Sequence, residues 1–243
     1  VPAVHSMAVN TPNANSQQQF GLLSQLMGNP HIRRIIDVAD PDEIAQGFIH
    51  WQVRYEQLSK GRFIGSMTEC WLNDIQIIEE NLSQQIFMTG SARPNAVSVG
   101  VLTAMSEPAI WHGQAFGQHH IACMSQQEEL ELNVASGTRM ANITIPFYLF
   151  PEFDESDVMA HLLKGQHASF LYHPALAQQV RIKLQQVMTE VAHSPQHFEH
   201  LEVQRLLTSE LIGLVDAYMA LALPKTISAS TEKARRVVKT AHT

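Results

Sequence analysis

The sequence predicts an α+β chain: a small antiparallel sandwich or barrel, followed by an antiparallel pair of long helices. Three observations carry this. Short apolar runs separated by Gly, Pro and Asn recur between residues 53 and 149. From Pro151 the apolar spacing changes from a period of two to that of a helix. Two long apolar stripes then follow, broken only by Ser194-Pro195.

Residues 1–39 are expected to be a mobile arm, rich in Asn, Gln, Ser and Pro near its start, with a short helix over 20–27 ended by Gly28-Asn29-Pro30. Asp40-Pro41-Asp42-Glu43 reads as a helix start: a capping acid, a proline in the first position, then acids near the positive end of the dipole. That helix should cover about 41–49. Residues 40–150 then form the β domain. Its expected strands are 53–57, 62–72, 75–80, 96–102, 109–116, 120–124, 129–135 and 140–149, with turns at Asn73-Asp74 and Ser136-Gly137. The run 129–134 alternates polar residues with Leu130, Leu132 and Val134, as a half-buried strand does.

Residues 151–224 are expected to be helical. Asp154 can cap a helix over 155–164. Pro174 opens a longer one with Leu176, Val180, Leu184, Val187 and Val191 on one stripe. A third, over about 199–223, carries Leu207, Leu211, Leu214, Val215 and Met219 and ends at Pro224. Residues 225–243 differ: five basic side chains face one acid, and Ser230 or Thr231 can cap a helix beginning near Glu232. That helix begins too close to Thr243 to bury a face by itself, so a further domain is expected after it.

Composition narrows the function. The net charge of −7 and the 16 % of charged residues argue against nucleic-acid binding by these residues through charge alone. No apolar run is long enough to span a bilayer, and no secretory signal opens the chain. Two cysteines, Cys70 and Cys123, are too few for a disulfide framework, so a reduced, cytoplasmic protein is expected. Neither a Gly-x-Ser-x-Gly elbow nor a phosphate loop occurs, and an enzyme is not expected.

The order of a β domain, a helical hairpin, a linker and an opening basic helix resembles that of AraC-type transcriptional activators. The segment Trp51-Gln52-Val53-Arg54-Tyr55-Glu56-Gln57-Leu58-Ser59-Lys60-Gly61-Arg62-Phe63 is similar to the start of the sensor barrel in one branch. That branch includes the ethanolamine-operon activator and regulators of amine use. Arg235-Arg236-Val237-Val238-Lys239-Thr240-Ala241 resembles the first helix of the family's DNA-binding domain. The resemblance implies a cupin-like barrel that holds a small-molecule effector, a helical region that forms a homodimer, and DNA contact only through a helix-turn-helix domain absent from this sequence. It implies no membrane partner.

The candidate effector residues come from the strand over 62–72. Alternation puts Phe63, Gly65, Met67, Glu69 and Trp71 on one face. A lone carboxylate among aromatic and thioether groups needs a partner, and an ammonium ligand would supply one, with a cation–π contact from Trp71. The alternative is that Glu69 pairs with Arg54 or Arg93, or faces water. Met88, Trp111 and His112 are candidates to line the same cavity, the alternatives being barrel-core packing for the first two and a surface or core histidine for the third, whereas Glu79 and Glu80 read as solvated turn charges. Leu207, Leu211, Leu214 and Val215 are the candidate dimerisation residues. Metal-binding cupins use a His-x-His pair, whereas His119 and His120 are adjacent and should point to opposite faces. No metal or other cofactor is therefore expected. The rival readings are a cupin-type metal protein or enzyme, and a dimerisation module without an effector.

Overall fold

Asp40 caps the first helix as expected: its carboxylate accepts from the Asp42 amide at 3.0 Å, and α1 runs Pro41–Gly47 with Ile44 buried beneath it. The structure is a computed structural model and describes residues 29, 31–125, 129–150 and 170–222. The arm and short helix expected within 1–28, the helix expected over 155–164 and the basic segment 225–243 lie outside the described residues.

Twelve described strands form two sheets. The larger has seven strands in the order β1 (Ile32–Val38), β3 (Gly65–Leu72), β4 (Ile75–Leu82), β11 (Thr138–Pro146), β6 (Ala96–Ala104), β9 (His120–Ser125) and β12 (Phe170–Tyr172). The smaller has five: β2 (Gln52–Gln57), β5 (Ile86–Ser91), β10 (Glu129–Val134), β7 (Ala109–Trp111) and β8 (Gln114–Phe116). Every pairing is antiparallel. After them come α2 (Pro174–His193), a short 3-10 link (Pro195–Glu199) and α3 (Leu201–Ala222). Lys183 of α2 meets Glu210 of α3 at 2.9 Å, each about equally far from the link, as antiparallel helices require.

The seven-stranded sheet is the middle layer of three. On β11, Ala141, Ile143 and Ile145 join the core under the helices, with the α2 stripe Leu176, Val180, Leu184, Val187 and Val191. Met140 packs into the other core, between the two sheets, among Ile78, Leu82, Leu102 and Met124. A sheet covered on both faces loses the polar alternation of a half-exposed one, so β4, β6 and β11 are buried along most of their length. The result is a cupin-like β sandwich with an antiparallel helical pair packed on one face.

Four differences from expectation have clear causes. Residues 32–38 are not part of an arm: they form β1, the edge strand paired to β3. The expected single strand 109–116 is two strands joined by a tight turn at His112 and Gly113, both at positive φ (45° and 76°), the geometry of a primed hairpin turn. Strand β5 lacks clean alternation and contains Gly90, whose φ of +144° and closeness to β2 admit no side chain: a Cβ there would lie 1.9 Å from the Gln52 carbonyl oxygen. Strand β12 has only three residues, too few for a period to show.

Candidate ligand-binding cavity

A cavity of about 60 Å³ lies between the two sheets. That is room for roughly four or five water-sized groups. One wall is aromatic: Phe48, Trp51 and Tyr55, with Phe48 centred 5.8 Å from Trp51 and 6.2 Å from Tyr55. The hairpin β7–β8 supplies Trp111 and Phe116, centred 6.0 Å apart. Met88, Met124 and Met140 fill the spaces between them. Gly100, at the middle of β6, leaves the opposite side open.

Among the described residues, one ionisable carboxylate lines this apolar space, and it belongs to Glu80. Glu80 was expected in a solvated turn; instead β4 continues to Leu82 and the residue is buried on the inward face. The Tyr55 hydroxyl donates to its Oε2. Burial pushes the Glu80 carboxyl up to about 7, against the opposing effect of that hydrogen bond. Burial, reinforced by the Glu80 charge and hydrogen bond, raises the Tyr55 hydroxyl well above its ordinary value. Asn142 lies diagonally across from Glu80, since Glu80 pairs with Met140 and Asn142 with Ile78. Its buried Oδ1 has no hydrogen-bond partner among the described residues. Nearby, Ser98 Oγ and Thr144 Oγ1 satisfy each other at 2.7 Å.

The residues singled out in the sequence are divided by the fold. Met88 and Trp111 line the cavity. Phe63 and Met67 are buried in the same inter-sheet core but not on the cavity lining. Glu69 is fully buried, as its face required, but its charge is already met: Arg33 reaches its Oε2 at 2.6 Å and Gln76 donates to its Oε1 at 2.5 Å. The partner is Arg33, rather than Arg54 or Arg93, because β1 lies beside β3 and aligns Arg33 with Glu69. Trp71 is half-buried, with the Arg93 guanidinium 5.3 Å from its ring, away from the cavity. His112 sits exposed at the tip of the β7–β8 turn. Glu79 points to the other side of β4; burial raises its carboxyl despite nearby Arg139.

Of the candidate dimerisation residues, Leu211 and Val215 are fully buried in the protein's own helix-side core, with Leu207 and Leu214 packed partly buried against it. The outward side of α3 carries Leu201, Leu206 and Leu221 instead. Cys70 and Cys123 are buried, and burial next to the Glu69 charge holds the Cys70 thiol protonated, pushed up to about 12. His119 and His120 pack near Tyr172, and no cluster of three His, Cys, Asp or Glu side chains suited to a metal occurs among the described residues.

No protein-family model matches the sequence. Among solved structures, the chain is similar to the AraC-like transcriptional activator CuxR, at 11 % identity and a TM-score of 0.47, covering 85 % of this chain and 65 % of that one. The chain thus spans just under two thirds of CuxR's length. It is also similar to the oxalate decarboxylase of Bacillus subtilis (12 % identity, TM-score 0.23, 43 % of this chain and 29 % of that one). A third similar structure is the EutQ protein of Clostridium difficile (14 % identity, TM-score 0.18, 41 % of this chain and 66 % of that one).

Proposed function

We propose that this chain is the effector-binding region of an AraC-type transcriptional regulator, and that its effector is a small primary amine or amino alcohol held between the two sheets. The observation that carries the ligand class is Glu80: a buried carboxyl, hydrogen-bonded only in part, in a cavity of aromatic and thioether walls. An ammonium group gives the ionised carboxylate the partner that burial demands. Asn142 Oδ1 accepts a second N–H, and an aromatic face adds about 1 kcal/mol by cation–π attraction. The cavity size limits the effector to a handful of non-hydrogen atoms. The transcriptional role rests on the sequence resemblance at residues 51–63 and 235–241. In this reading a second copy of the chain and operator DNA are the macromolecular partners, the DNA read by a domain outside this sequence.

The experiment is a thermal-shift screen of small amines, amino alcohols, alcohols and carboxylates on the native chain and on Glu80→Gln. Ligands that bind only the folded state raise its melting temperature with concentration. Amines should stabilise the native chain and lose most of that effect in Glu80→Gln. Equal stabilisation of native chain and Glu80→Gln removes Glu80 as the ammonium partner. Stabilisation by none of the compounds favours a dimerisation module without an effector.

A further inference from the structure

Two adjacent arginines on β1 face opposite sides of the central sheet, and each ends on the last turn of a different helix. Arg33 points between the sheets, where its Nη2 donates to the Gly47 carbonyl at the end of α1 and meets Glu69 Oε2 at 2.6 Å. Arg34 points under the helices, where its Nη2 donates to the Val191 carbonyl at 2.6 Å. That carbonyl would normally accept from the residue four ahead, which is Pro195 and has no N–H. Arg34 replaces the missing donor. Two residues before His31 and just ahead of β1, the Asn29 side chain donates to the Pro195 carbonyl at 2.7 Å, so β1 and the residue leading into it hold the last turn of α2 and the first residue of the α2–α3 link.

The inner end of this arrangement reaches the cavity. Trp51, on the cavity wall, donates its indole N–H to Gln76 Oε1 at 3.0 Å. Gln76 in turn donates to Glu69 Oε1 at 2.5 Å and to the Ile49 carbonyl at 3.1 Å, and Glu69 holds Arg33. Each of these polar groups is buried, so displacing one leaves its neighbour with a desolvated, unmatched atom. Strand β1 is the element most able to respond. Among the described residues it is a sheet edge paired only to β3, with a register irregularity between Ile35 and Val38.

We propose that Trp51, Gln76, Glu69 and Arg33, continued along β1 to Arg34 and Asn29, form a positioning network that couples the cavity wall to the α2–α3 link. A shift of the Trp51 indole frees Gln76 Oε1, loosens the carboxylate that fixes Arg33, and lets β1 slide; Arg34 and Asn29 then release the carbonyls of Val191 and Pro195. The network needs no assumption about which molecule fills the cavity, so it stands or falls apart from the amine reading.

The test is amide hydrogen exchange on the full chain, read at residues 191–200 relative to β6 and β11, which report global opening. The variants are Trp51→Phe, Arg34→Met, both together, and Tyr148→Phe as a control, an exposed residue whose hydroxyl donates to Asp74 outside the network. Trp51→Phe and Arg34→Met should each speed relative exchange at the link about ten-fold, and the double variant no more than the larger single change. Tyr148→Phe should leave it unchanged. The proposal is overturned by a link in Trp51→Phe that exchanges no faster, relative to β11, than in the native chain. Multiplying effects in the double variant, or a Tyr148→Phe effect as large as that of Trp51→Phe, would overturn it equally.

Discussion

Glu80 and Glu69 lie on neighbouring strands, both buried and both pushed up by that burial, but with different partners to offset it. Glu69 has a guanidinium at 2.6 Å; Glu80 has a phenol, which is neutral. Burial, only partly offset by that phenol, holds the Glu80 proton up to about 7, whereas an unfolded Glu releases it near 4.5. Below 4.5 both states are protonated. Between the two values the unfolded chain ionises first, so stability falls as pH rises; above about 7 both are ionised and the contribution is lost. The gap corresponds to on the order of 3 kcal/mol. Urea unfolding of the native chain and Glu80→Gln across this range measures it. The native chain should lose stability relative to the variant as pH rises, and parallel curves would reject Glu80 as the source. An ammonium ligand ionises the same carboxyl, so amine binding should release protons below pH 7.

At the scale of single elements, the sharpest constraint is Gly90, which lets β5 lie against β2. Gly90→Ala places a Cβ 1.9 Å from the Gln52 carbonyl oxygen at a φ of +144°. The expected cost is about 2 kcal/mol or more, read as a lower urea midpoint with an unchanged slope. The sequence made some elements plain and hid others for reasons of the same local kind. The cap at Asp40, the turn at Asn73-Asp74 and the stripe from Leu176 to Val191 are written in neighbouring residues, and they stand where expected. Strands β1 and β5 depend on distant partners. The irregular register of β1 and the glycine of β5 blur any local period. The same limit applied to the cavity. Alternation along β3 correctly made Glu69 a buried carboxylate, but the position of Arg33 relative to it depends on β1 pairing. Glu80 was misplaced because β4 runs two residues past its expected end, which carries that side chain inward. Leu211 and Val215 form an apolar stripe whether it meets this chain's own sheet or another copy, and spacing alone does not distinguish these.

For the whole molecule, the central fact is that one sheet serves two cores. Gly100 marks where the inner core is left unfilled: a Cβ there would meet Asn142 Cβ at an ordinary 3.7 Å. Gly100→Val should therefore fold with a melting temperature at or above that of the native chain, while ligands that stabilise the native chain no longer do so. A stable variant that still responds to them would place their site elsewhere. No described helix is long and apolar enough to cross a membrane. The two cores share one partition, a single layer of backbone in which neighbouring residues such as Ile77 and Ile78 belong to different compartments. A guest that swells the inner room must bow this wall outward, and the helices resting on its far side register the bulge even where no atom of the guest approaches them.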